Sequence, residues 1–103
     1  MARRSPMKGW ARAKPDTVAE RKALARRCKG RCFLLPEERK YPVCAKGSAT
    51  CKPDCRGLLA AYSRAKANVS RGLGRKHLDV SRKAMWMART MKCPWARKEF
   101  CDA

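Results

Sequence analysis

The sequence predicts a small, mainly helical domain: about three helices including an αα-hairpin, a cysteine-pinned irregular segment ahead of the hairpin, and a basic N-terminal arm. Three observations carry this expectation. A capping-box pattern stands at Thr17-Val18-Ala19-Glu20, two runs of period near 3.6 follow Asp54, and seven cysteines fall at positions 28, 32, 44, 51, 55, 93 and 101 of 103 residues. A chain this short forms one domain and removes only about two-thirds of its extended-chain surface from water on folding. Its apolar core therefore needs cross-links or a bound metal to help hold it.

Residues 1–15, MARRSPMKGWARAKP, read as a basic extended arm, with residues 16–103 as the single stapled helical domain. The arm has five cations, no acid, two prolines, and Trp10 as its only sizeable anchor. A helix should start after Thr17, with Glu20 returning the hydrogen bond to the cap, and run to about Lys29, where Gly30 ends it. Its apolar face is thin, chiefly Val18, Leu24, Ala25 and Cys28. Phe33-Leu34-Leu35 and Tyr41-Pro42-Val43 look like two short extended stretches around a turn at Pro36-Glu37-Glu38, a small hairpin.

From Asp54 the period changes. Cys55, Leu58, Leu59, Tyr62, Ala65 and Val69 fall on one helical face, with Arg56, Arg64 and Arg71 opposite. Gly72-Leu73-Gly74 breaks the run, and a second helix continues to about Lys92 with Val80, Ala84, Met87, Ala88 and Met91 on one face. Pro94 stops it, and Trp95 to Cys101 suits one last short turn.

Charge decides the class of partner. Lys and Arg number 27 against 8 acids, a net charge of +19, with basic blocks at 1–32 and 56–103 flanking a nearly neutral strip. Such an excess opposes compaction, so the chain is expected against nucleic acid, anionic lipid or acidic protein. There is no transmembrane segment in the sequence pattern, and Met1 to Trp10 has no hydrophobic run of the secretory kind. Synthesis in the cytosol or nucleus is the expectation that follows, and stable disulfides are unusual there.

Cys28-x3-Cys32 and Cys51-x3-Cys55 place each pair one helical turn apart, with Cys44 between them. Disulfides, a zinc site made by four of these five, and free buried thiols all remain open, in that order of preference; Cys93 and Cys101 can pair with each other or with one of the five. The two x3 pairs also resemble twin-Cys hairpins of small mitochondrial carrier chaperones, but Pro36, Pro42 and Cys44 interrupt the helices that family needs. Catalysis finds little footing: His77 is the lone histidine on an apolar helical face, no phosphate-cradling glycine loop is present, and no Cys-His signature is local. A non-enzyme is expected, with no resident cofactor unless zinc.

The run Arg31 to Arg89 resembles small basic cysteine-bearing virion proteins of large nucleocytoplasmic double-stranded DNA viruses, of the algal-virus type. Cys32-Phe33-Leu34, Tyr41-Pro42-Val43-Cys44, Cys55-Arg56-Gly57-Leu58-Leu59 and the Arg82-Lys83-Ala84 stretch carry the resemblance. It implies a minor capsid or cement protein in the virion, made in host cytoplasm, bridging capsomers or shell and inner membrane. The implied partners are the major capsid protein and other minor capsid proteins, and a virus-encoded thiol oxidase would permit disulfides. The alternative from charge alone is a nucleic-acid binder, packaging virion DNA or carrying a zinc knuckle. Under either reading the candidate contact residues are Arg3, Arg4, Trp10, Arg64, Arg71, Arg82, Trp86 and Arg89. Trp86 lies off the apolar face among Arg75, Arg82, Lys83 and Arg89. It suits a partner anchor or a stacking platform as well as it suits a shield over the protein's own core.

Overall fold

Thr17 sets the first boundary of the main body. Its Oγ1 accepts from the Glu20 N–H at 3.0 Å while Glu20 Oε1 accepts from the Thr17 N–H at 3.0 Å, the reciprocal capping box the sequence spelled. The computed structural model describes residues 7–96 and is mainly helical. Four α-helices, α1 (Trp10–Ala13), α2 (Val18–Cys28), α3 (Cys55–Ser70) and α4 (Arg75–Thr90), accompany an antiparallel pair of strands, β1 (Phe33–Leu35) and β2 (Lys40–Pro42).

Helix α2 leans on the rest through Leu24 and Cys28, both buried, while Val18 is 66% exposed and does not share their face as expected. Helical geometry explains the miss: six residues advance the helix by about 600°, which leaves Val18 some 120° away from Leu24. The helix stops at Cys28. Lys29 rather than Gly30 takes the positive φ, 54°, and a 3-10 turn over Lys29–Cys32 leads into β1. The predicted hairpin forms, with Phe33 opposite Pro42 and Leu35 opposite Lys40, and a 3-10 turn at Pro36–Glu38 closes it.

Helices α3 and α4 form the predicted antiparallel hairpin. Gly72 and Gly74 join them at φ 75° and 117°, backbone that residues with a Cβ avoid. Leu58, Ala61 and Ala65 of α3 meet Val80, Ala84, Met85 and Ala88 of α4, and the small residues let the two backbones approach. The buried face of α4 is His77, Val80, Ser81, Ala84, Met85 and Ala88; Met87 and Met91, expected inside, are only partly covered. Phe33, Leu34, Leu35, Tyr41 and Val43 of the strand segment join this core, and Pro94–Ala96 adds a 3-10 turn that brings in Trp95. Trp95 Nε1–H donates to the Cys55 carbonyl at 2.8 Å, which ties the end of the hairpin to its beginning. The rest of the expected last turn, with Cys101, lies outside the described residues.

Residues 7–15 depart from an extended arm. Trp10–Ala13 is one helical turn, and Trp10 is only 5% exposed. Its ring lies on Gly57, where an added Cβ would sit 2.7 Å from Trp10 Cη2 and 2.8 Å from the Val43 carbonyl. The Arg56 guanidinium stands 5.9 Å from the Trp10 ring centroid, and Arg56 Nη1 donates to the Lys8 carbonyl. Lys46 N–H donates to the Ala13 carbonyl at 2.7 Å, closing the segment from its other end. Trp10, expected as an anchor for a partner, is turned inward as an anchor for its own chain, because α3 carries a glycine where the indole needs room.

Candidate binding surface

Six of the seven cysteines are paired. Cys28 bonds Cys51, Cys32 bonds Cys44, and Cys55 bonds Cys93, with Cα–Cα separations of 5.5, 5.2 and 5.6 Å. The first two bridges lie side by side: the sulfurs of Cys28, Cys32 and Cys51 are all within 4.8 Å of one another. Cys55 stands apart from that cluster and fastens the start of α3 to Cys93, three residues past the end of α4. Cys101 lies outside the described residues.

The outer side of α4 carries the clearest exposed feature. Trp86 is 67% exposed, and Arg82, Lys83 and Arg89 around it are exposed too. Spacings of three and four residues put Arg82, Lys83 and Arg89 on the same side of the helix as the indole. None of these three cations is among the ion pairs of the described residues, which join Lys14–Asp16, Lys40–Glu38, Lys46–Glu20, Arg56–Asp54 and Lys76–Glu38. The face thus carries an excess of positive charge around an apolar centre on a rigid helix, with Asp79 one turn before Arg82 and Lys83 as its one acid among the described residues of α4. Trp86 does not shield the protein's own core.

A second feature is a cleft of about 410 Å³ between α1, α2, β2, α3 and α4, its lining including Trp10, Arg21, Tyr41, Arg64, Asn68 and His77. Asn68 Nδ2–H donates to Tyr41 Oη at 2.6 Å, and the same hydroxyl is hydrogen-bonded to His77 Nδ1 at 2.7 Å. Tyr41 makes this contact from φ 59°, a backbone state costly for an aromatic residue and held here by hairpin and helices together. His77, expected at a core or edge position, is buried and used structurally. Arg71 joins Arg64 and Met7 along a shallower depression beside the cleft.

The ion pairs shift their members in the directions their contacts dictate. Hydrogen bonds from Lys76 and Lys40 lower the Glu38 carboxyl, and the same carboxylate raises Lys76, fastening the start of α4 to the hairpin turn. Asp54, which caps α3, is lowered chiefly by the Arg56 guanidinium, and Arg56 is raised by Asp54 in return. Backbone N–H groups of Thr17 and Asp16 hold Glu20 down at about 2.

Among the residues singled out from sequence, the structure gathers Arg82, Trp86 and Arg89 on one helix face and brings Arg64 to the cleft where Trp10 forms part of the wall. Arg3 and Arg4 lie outside the described residues. Sequence reading missed the Asn68–Tyr41–His77 chain, because its members are 27 and 36 residues apart and their types carry no mutual signal. Comparison with protein-family models, curated proteins and solved structures returns no match for this chain.

Proposed function

We propose that this protein is a structural component of a virion, a minor capsid or cement protein that seats a stapled, basic helical body against acidic surfaces of neighbouring capsid proteins. One observation carries the reading: Trp86 stands 67% exposed at the centre of the unpaired cations Arg82, Lys83 and Arg89. Interfaces concentrate their binding energy in a few Trp and Arg residues, and here both types share one rigid helix. The resemblance over Arg31–Arg89 supplies the setting, and oxidised cysteines fit a particle that outlives the reducing compartment in which it is made. The protein acts by filling space and neutralising charge, without chemistry of its own and without spanning a bilayer; no described helix is long and apolar enough to cross one. Replacing Trp86 with Ala should lower the protein's incorporation into particles about tenfold or more, the loss expected when a hot-spot side chain worth 2 kcal/mol or more is truncated. The fold and melting temperature of the purified chain should stay unchanged. Full incorporation of the W86A variant counts against the proposal.

A second reading, nucleic-acid binding, draws on the net charge of +19. It predicts an apparent affinity for DNA that falls linearly on a log–log salt plot, with each phosphate contact adding about 0.9 to the slope. A cement protein instead copurifies stoichiometrically with shells emptied of DNA, and that measurement separates the two.

A further inference from the structure

We infer that Cys28, Cys32, Cys44 and Cys51 form a zinc site when their two disulfides are reduced, so that this half of the chain alternates between a doubly bridged state and a zinc-bound state. The two bridges are neighbours. Cys28, Cys32 and Cys51 already hold their sulfurs within 4.8 Å of one another, and the Cys44 sulfur is bonded to that of Cys32. A tetrahedral zinc with Zn–S distances of about 2.3 Å sets its four sulfurs roughly 3.8 Å apart. Opening the bonded pairs brings Cys28, Cys32 and Cys51 to that spacing with small shifts, while Cys44, which lies outside the group of sulfurs within 4.8 Å, has to swing in from its bond with Cys32 to complete the set.

The setting suits the metal. Cys28, Cys32 and Cys44 are 3%, 0% and 0% exposed, so three ligands are shielded from water, while the partly exposed Cys51 sits on a surface loop and gives a reductant or a metal its way in. That loop is fixed: Cys51 N–H donates to Ser48 Oγ at 3.1 Å, and the Arg27 guanidinium donates to the carbonyls of Lys46 and Ser48. Four thiolates around one zinc carry a net charge of −2, and Arg27, Lys29, Arg31 and Lys46 lie within a few residues of the ligands, with no described acid among Arg21–Pro36 or Val43–Pro53. Zinc also replaces the bridges in function. It ties the end of α2, the start of β1 and the loop after β2 to a single point, the same segments the two disulfides join. Cys55 and Cys93 are excluded, because their bridge belongs to the α3–α4 hairpin.

The balance is simple. Each disulfide takes two electrons and two protons from a cellular dithiol, which becomes a disulfide, and yields two thiols; zinc then displaces one proton from each of the four thiols. Reoxidation of the two pairs returns four electrons to the oxidant and releases the metal.

The full-length chain, reduced with a non-chelating phosphine under anaerobic conditions, is titrated with Co²⁺ and then Zn²⁺. One cobalt per chain should bind, with the visible absorption of tetrahedral thiolate cobalt, and zinc should displace it. Alkylation of the zinc-loaded chain should spare Cys28, Cys32, Cys44 and Cys51 while modifying Cys55 and Cys93. C44S should weaken cobalt binding by about tenfold or more, since even outer-sphere changes at metal sites cost that much, whereas C93S should leave it unchanged. If reduction unfolds the chain, recovery of helical circular dichroism on adding zinc supports the site. Absence of the cobalt band in the wild-type chain, protection of a different cysteine set, or equal losses in C93S and C44S overturns the inference.

Discussion

Replacing Trp10 with alanine tests whether the N-terminal turn belongs to the folded body. The indole is 5% exposed, and a tryptophan buries about 150–250 Å². At about 25 cal/mol per Å² that corresponds to an upper bound of roughly 4–6 kcal/mol, in line with the ~3–5 kcal/mol typical of a buried Trp-to-Ala change. The same contact is probed from the other side by Gly57→Ala. Its new Cβ would stand 2.7 Å from the indole and 2.8 Å from the Val43 carbonyl, so the ring has to shift. Overpacking of this kind costs about 1–3 kcal/mol, and the helix propensity of Ala over Gly returns about 0.5–1 kcal/mol, which leaves a net loss centred near ~1 kcal/mol and no greater than about 2.5 kcal/mol. Gly47 is the control. Nothing lies within 4 Å of its Cβ position and its φ is not in the left-handed region, so Gly47→Ala should be neutral or stabilising by up to about 1 kcal/mol. The assay is urea unfolding of the oxidised proteins followed by far-UV circular dichroism. In the W10A background, G57A should lose part of its cost, but only part, because the Val43 carbonyl remains. A W10A loss below about 1 kcal/mol, or a G57A chain as stable as G47A, refutes the packing argument.

Removing the Cys55–Cys93 bridge, which closes 38 residues, should cost about 4 kcal/mol by the chain-entropy relation, read as the change in urea midpoint of the double Ser variant. Tyr41→Phe strips the hydroxyl that Asn68 donates to and that is hydrogen-bonded to His77, and should cost about 1–3 kcal/mol for groups left unpaired; a variant as stable as wild type speaks against the network. Glu20, held at about 2 against an ordinary 4.5, gives a pH test. A lowered carboxyl contributes stability that is fully present above pH 4.5 and fades as the pH falls towards 2, so the gap between wild type and E20Q should shrink across that window. A gap constant from pH 6 to 2 contradicts the capping role.

Local signals were legible in the sequence wherever one short segment settles the geometry. The Thr17–Glu20 box, the hairpin at Pro36–Glu38 and the break at Gly72–Gly74 each depend on residues within a few positions, and all three stand where the pattern placed them. The amphipathic faces were legible in part. Leu58 and Ala65 on α3 and Val80, Ala84 and Ala88 on α4 are buried, but periodicity could not say how far the stripe leans, so Met85 and Ser81 went in while Met91 stayed at the edge. Trp10 was misjudged for a different reason. Its fate depends on Gly57, 47 residues away, and a missing side chain offers no hydrophobic signal to read. The cysteine pairings were illegible in principle, since spacing fixes neither partner nor chemistry, and only the approach of α2 to the loop after β2 selects Cys28–Cys51. Trp86 was legible in part: helical spacing set it off the apolar face but left a shield over the core as open as a partner anchor, and its 67% exposure is what the structure adds.

The bridges also determine what happens when the backbone is cut. Cys32–Cys44 lies inside the span of Cys28–Cys51, and Cys55–Cys93 closes a separate ring, so the oxidised chain is two covalent loops joined by the three residues Lys52-Pro53-Asp54. A nick anywhere inside either loop leaves the pieces attached. A single nick releases a fragment only at the joint or in the tails outside the loops. The joint holds a single basic residue, Lys52, and the next residue is a proline, a bond trypsin does not cleave. A protein this rich in Lys and Arg offers trypsin-like enzymes many targets, yet between Cys28 and Cys93 a single cut at any of them leaves the pieces joined by a bridge, or falls at a bond that resists; release takes two cuts within one cysteine-free stretch. A first cut in that span costs the oxidised molecule continuity of backbone and not integrity.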